Sequence, residues 1–264
     1  MNINAKQIKE LGLAALKYTL YLNFNHVDNV DYIHYICVLQ AAQAAELLIK
    51  AKIVEIDKGA IYEKNKKNTI AYSKLKDKLP QISEQKYQIK DEDLFTRFGI
   101  YRNDIQHLRI PEGEIDLKLE TMKFLFKVID PLIYDFWEIK VLDFIPDEEM
   151  GWDGLDEFIF EDLIKANIPF RCPDSRQKSY KKVHEILSIV KEATEYVIKN
   201  YSKEFLNNFD NRDLINRDLR EKFEDKSSYR KLKTINNYSY NKYLLLNEVR
   251  EIINNEIRYE NWGV

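Results

Sequence analysis

Two side chains in the stretch "FGIYRNDIQHL" (residues 98–108), Arg102 and His107, suffice in principle to cut RNA without a metal ion. The 2′-hydroxyl of RNA is an internal nucleophile already held close to its phosphorus. Cleavage then needs a base for the hydroxyl proton and an acid for the leaving 5′ oxygen, and a histidine that titrates near neutrality serves in either role. It also needs a fixed cation for the charge on the phosphorane, and arginine brings one with a planar fork of donors. One histidine cannot be base and acid at once. Two copies of the motif facing each other across a homodimer remove that difficulty.

The spacing predicts a helix. Asp91 is placed to cap it, Glu92 and Asp93 suit the positive end of its dipole, and Pro111 closes it. At about 100° per residue, Leu94, Phe98, Tyr101, Ile105 and Leu108 share one stripe, read as the core face. Arg102, Gln106, Gly99, Asn103 and His107 follow in that order around the other side, with Arg102 and His107 about 140° apart. A glycine inside a helix costs about 1 kcal/mol relative to alanine. Gly99 is therefore read as allowing close approach of a ligand or of a second copy. The plain alternative is a solvated face carrying an incidental glycine.

The elements around this segment read as all-α. Glycine and proline number only seven and six in 264 residues, and apolar residues recur at helical spacing. A first helix is expected over 4–23, with Ile8, Leu11, Ala15 and Leu16 inward. A second runs from about 31 to 57 through "VLQAAQAAELLIKAKIVEI", stopped at Gly59. Residues 60–90 read as a connection with one minor helix near "AYSKLKDKLP". A long helix follows over about 114–140, kinked at Pro131. Glu46 falls at the edge of the apolar arc of the second helix. Its carboxylate has two candidate partners: Arg102 or Arg97 across helices, or Lys50 one turn on.

"RNDIQH" resembles the signature of HEPN domains: an arginine, a polar residue next, then a histidine after a short gap. "LQAAQAAELLIKAKI" is similar to the second helix of that fold, and the resemblance covers about residues 5–140. It implies a small helical bundle that dimerises, with paired motifs forming a metal-independent endoribonuclease site. Such domains recur as toxins of toxin–antitoxin pairs and in anti-phage defence. Carried over by position, Arg102 would hold the scissile phosphate, His107 would transfer protons and Asn103 would orient one of them. Glu46, Gln106 and Gly99 would support the site. Products would be a 2′,3′-cyclic phosphate and a 5′-hydroxyl. Some family toxins place a tyrosine two residues after the histidine, for modification by a nucleotidyltransferase partner. This chain has Arg109 there, which argues against that form of control, although an antitoxin or defence-system regulator remains an expected partner. The rival reading is a non-catalytic HEPN-like module that binds RNA, a nucleotide or a protein.

The acidic, glycine-bearing stretch "DFIPDEEMGWDGLDEF" divides the expected ribonuclease domain (1–145) from a helical C-terminal region (146–264). There Tyr180, Val183, Leu187, Val190, Thr194, Val197 and Tyr201 form a heptad-like stripe, read as core-facing in preference to an oligomer seam. "KSSYRKLKTINNYSYNKYLLL" (226–246) sets Arg230, Lys231, Lys233 and further lysines among Tyr238, Tyr240 and other tyrosines, with no acid. Cations along a backbone and aromatics for stacking suit single-stranded RNA. A regulatory protein surface and simple composition bias fit the stretch as well.

A formal charge of −3 provides no global attraction to nucleic acid, so binding needs a local patch. Two cysteines outside any C-x-x-C pair, no membrane-length apolar run and an N-terminus without a signal-peptide core lead us to expect a cytoplasmic protein without membrane attachment. No metal or cofactor is expected. His26 and His34 lack carboxylate or cysteine neighbours at ligand spacing, and His184 lies beside the heptad stripe.

Overall fold

The alanine-rich segment is the spine around which the first helices gather. Helix α2 (Ile33–Ile56) buries Cys37, Val38, Ala41, Ala42, Ala44, Ala45, Leu48, Ile49, Ala51 and Ile53, so it is apolar on most sides. A helix enclosed by neighbours has that pattern. The computed structural model describes residues 4–24, 32–63, 68–107, 109, 115–145, 155–202, 205 and 211–223. Helix α1 (Ala5–Phe24) packs along α2, and a Cβ added at Gly12 would stand 2.9 Å from Leu48 Cγ. That close approach turns the buried face of α1 onto Gly12, Leu16, Thr19, Leu20 and Asn23. Leu11, expected inside, is 61% exposed as a result.

After α2 come a 3₁₀ turn (Lys58–Ile61), a second one (Tyr72–Lys74), α3 (Leu75–Ile82) and α4 (Glu92–Gln106). The long helix expected next is α5 (Leu117–Phe124), a π turn (Leu125–Ile129) and α6 (Asp130–Trp137). Pro131 explains the π turn. Its ring cannot sit over the carbonyl four residues back, so the ladder widens by one residue, with the Asp130 N–H donating to the Leu125 carbonyl. Helices α7 (Leu155–Lys165), α8 (Gln177–Asn200) and α9 (Arg212–Phe223) follow. The fold is all-α. Among the described residues the nearest thing to a strand is one isolated antiparallel bridge between Tyr62 and Thr69.

The chain divides into two compact units, Met1–Gln177 and Lys178–Val264. The division falls later than the expected break at 145/146, because residues 155–177 are tied back into the first unit. Lys118 pairs with Asp162 at 3.6 Å, Arg171 with Asp130 at 2.6 Å, and Arg176 donates to the Ile145 carbonyl at 2.7 Å. In the second unit, Ile189, Val190, Ala193 and Val197 of α8 pack on Ile215, Leu219 and Phe223 of α9. Val190, Val197 and Tyr201 of the heptad-like stripe therefore face a core inside their own unit. The hydroxyls of Tyr196 and Tyr201 both donate to Asp218. The basic, tyrosine-rich stretch with Arg230, Lys231, Lys233, Tyr238 and Tyr240 lies outside the described residues, as do His26, Leu108 and Pro111. No described helix is long and apolar enough to cross a membrane.

Candidate functional site

Helix α4 starts as its sequence dictates. The Leu94 N–H donates to Asp91 Oδ1 at 3.0 Å, and Glu92 and Asp93 occupy the first turn. Its roll is set by aromatic partners. Phe98 stacks on Phe124 with centroids 3.9 Å apart, and Phe95 stacks on Tyr72 at 4.3 Å. The Tyr72 hydroxyl donates to the Phe95 carbonyl at 3.1 Å. Leu94, Phe95, Phe98 and Gly99 are buried, whereas Tyr101 and Ile105 are only half-buried. The inward face is thus turned by about 50° from the Leu94–Phe98–Ile105 stripe.

That roll changes the setting of two expected site residues. Gly99 is buried beneath Tyr72 and lines the pocket described below. A Cβ there would lie 2.8 Å from Tyr72 Cε1, so the glycine makes room for a tyrosine of its own chain. Gly99→Ala gains about 1 kcal/mol of helix propensity but must displace a buried, stacked ring, which costs about 1–3 kcal/mol. We expect a net loss of stability, read as a lower urea midpoint at unchanged slope.

Arg102 turns toward α2. Its Nη2 lies 3.3 Å from Glu46 Oε2, while Glu46 Oε1 lies 2.6 Å from Lys50 Nζ. Lys50 also donates to Thr69 Oγ1 at 3.1 Å. Both partners expected for Glu46 are therefore engaged together, and Arg97 pairs with Glu120 instead, at 3.8 Å. Side-chain exposures of 26% for Arg102 and 16% for Glu46 leave the arginine reachable while its carboxylate is largely enclosed. One carboxylate shared by two cations leaves one net positive charge in the cluster, and a guanidinium with five donors keeps some for another ligand. The guanidinium carbon stands 5.9 Å from the centroid of Tyr72, whose phenol burial holds well above its ordinary value. Stacked on Phe95 and bonded to its carbonyl, Tyr72 forms a wall of the site. Glu46→Gln removes the shared charge and leaves two cations on one neutral amide. The expected cost is about 1–3 kcal/mol of stability by urea unfolding.

Asn103 and Gln106 are exposed, and so is His107, the residue that closes α4. The His107 backbone N–H is held by the carbonyls of Asn103 and Asp104 at 3.0 and 3.1 Å. The residue is thus exposed at the end of the helix, one turn beyond Asn103. The structure joins Arg102, Glu46 and Lys50 in one ion-pair cluster and sets Arg102 and Gly99 against Tyr72, and it leaves Asn103, Gln106 and His107 at the solvent side of the same element.

Between the Tyr72–Lys74 turn and α4 lies a pocket of about 280 Å³, lined by Tyr72, Ser73, Lys76, Thr96, Ile100, Arg102 and Asn103 among others. Sequence reasoning missed Tyr72, Phe95, Lys76 and Thr96. A helix-interior glycine needing a partner was the one signal that pointed toward Tyr72. Elsewhere, His34 and His184 are exposed, and the His184 ring lies 6.0 Å from that of Tyr180. Among the described residues no group of three or more His, Cys, Asp or Glu side chains is arranged to hold a metal ion. Comparison of the chain with protein-family models, with curated proteins and with solved structures gives no match.

Proposed function

We propose that the chain is a metal-independent endoribonuclease of HEPN type, active as a homodimer and serving as a toxin or anti-phage effector in the cytoplasm. The observation that carries this reading is the end of α4. An arginine anchored by Glu46 yet still reachable, an exposed Asn103 and an exposed His107 follow one another on a single element. In this reading a base removes the 2′-hydroxyl proton and the oxygen attacks phosphorus, closing a 2′,3′-cyclic phosphate. The bond to the 5′ oxygen breaks as an acid protonates that oxygen. Arg102 holds the phosphoryl oxygens where charge grows, Asn103 orients one of the two catalytic side chains, and the His107 residues of two copies divide the base and acid roles. An antitoxin-like regulator is the expected protein partner. Because Gly99 faces Tyr72, the support for a second copy is this proton inventory together with the resemblance.

One observation favours the rival, a HEPN-like module that binds without cutting: the Arg102 guanidinium already has a carboxylate partner in Glu46. Incubating the purified protein with total RNA in EDTA separates the two. Cleavage with cyclic phosphate and 5′-hydroxyl ends is the expected result, and intact RNA at every protein concentration would favour the binding module.

A further inference from the structure

The pocket beside Arg102 has a charge and a size that the cleavage chemistry leaves unused. Its described lining carries two cations, Lys76 and Arg102, and no carboxylate. Lys76 Nζ is 3.5 Å from Thr96 Oγ1, so the lysine head stands over the α4 side of the opening. Ser73 and Thr96 bring hydroxyls and Asn103 an amide, which can donate or accept along the edge of a planar ring. Ile100, 52% exposed, gives an apolar shelf at the rim. At about 280 Å³ the space is at the small end of the ~300–1,000 Å³ typical of ligand pockets. It is larger and more apolar than a lone phosphate needs, and too small for a run of nucleotides. Arg102 and Asn103 line it and also belong to the proposed cleavage motif, so its occupant is contiguous with that site.

We infer that this pocket seats one nucleotide of single-stranded RNA, the one adjoining the phosphate held by Arg102, and that Ser73, Lys76, Thr96 and Ile100 set the base preference of cutting. The choice of RNA as ligand rests on the ribonuclease reading. The pocket itself is tested without it, by calorimetric titration of the full chain with AMP, GMP, CMP and UMP and with inorganic phosphate. At least one nucleotide is expected to bind ten-fold or more tightly than phosphate. Thr96→Trp, at an exposed position that fills the pocket, and Lys76→Ala should each weaken that binding at least ten-fold. Lys6→Ala, on the far-exposed start of α1, controls for simple loss of charge and should not.

Nucleotides that bind no better than phosphate, or binding untouched by Thr96→Trp in a protein with unchanged circular dichroism, would overturn the assignment. With an oligoribonucleotide substrate, Thr96→Trp should raise KM about ten-fold, leave kcat within about two-fold and alter base preference. Cleavage in which KM and base preference ignore Thr96→Trp would sink the pocket while leaving the ribonuclease. Nucleotide binding lost in Thr96→Trp by a chain that never cuts RNA would keep the pocket and sink the ribonuclease.

Discussion

His107→Ala is expected to lower RNA cleavage by about 10²–10⁴-fold, the usual worth of a positioned acid or base. The folded state should not notice, because the imidazole is exposed and only its backbone N–H takes part in closing α4. A stability change within about 0.5 kcal/mol by urea unfolding is the matching control. Arg102→Ala should cost about 10²–10³-fold, as loss of an electrostatic anchor for a charged transition state does. It also leaves Glu46 to Lys50 alone, so some stability is lost with it. Arg102→Lys distinguishes the two effects, since it keeps the charge facing Glu46 but not the planar fork. Specific activity should fall on dilution, in step with the dimer population measured by sedimentation. Undiminished cleavage by both alanine variants would remove Arg102 and His107 from the site.

The largest effect on stability is expected at Asp130. The residue is 1% exposed at the start of α6, accepts from the Val141 N–H at 2.9 Å and pairs with Arg171 at 2.6 Å. It thus fastens both the chain after α6 and the strap after α7 to the core. Asp130→Ala strands a buried N–H and unties Arg171. The cost should be about 2–4 kcal/mol, moderated because Arg171 can turn to water. Burial raises the carboxyl above its ordinary value, against the opposing pull of the Val141 N–H and of Arg171. A raised value in the folded state means that the folded chain takes up this proton first on acidification. Its contribution to stability is then complete below the unfolded value of about 3.9 and is lost as pH rises through the folded value. Wild type should therefore gain on Asp130→Asn as pH falls from neutrality toward 4. Asp130→Asn should cost less than Asp130→Ala at pH 7, since an amide still accepts from Val141. Urea unfolding of the three proteins at several pH values checks both statements, and a difference that shrinks on acidification would refute the sign.

Local signals in the sequence determined a good deal. Few breakers and helical apolar spacing marked an all-α chain, Asp91 marked the start of α4, and the alanine-rich run marked the second helix. Pro131 marked the irregularity between α5 and α6. Each of these effects acts within one or two turns, so it is written in neighbouring residues. The sequence also singled out Arg102, Asn103, His107 and Glu46 as the groups whose chemistry needed explaining.

Tertiary structure alone decided how those groups meet. The wheel averages over strongly apolar positions, and it missed that Phe95 and Gly99 would be covered by Tyr72, a residue from a short 3₁₀ turn in a connection. That contact turned α4, sent Arg102 to Glu46 and removed Gly99 from the outward face. Whether Glu46 paired along its own helix or across to α4 could not be read from spacing, since the second choice depends on how two helices lie side by side; it does both. The placement of residues 155–177 in the first unit followed likewise from Arg171 reaching a carboxylate on α6. Backbone propensity and capping act between near neighbours, so the sequence could carry them. Roll, ion-pair partners and unit boundaries depend on which distant surfaces exclude water from each other, and only the packed chain fixes that.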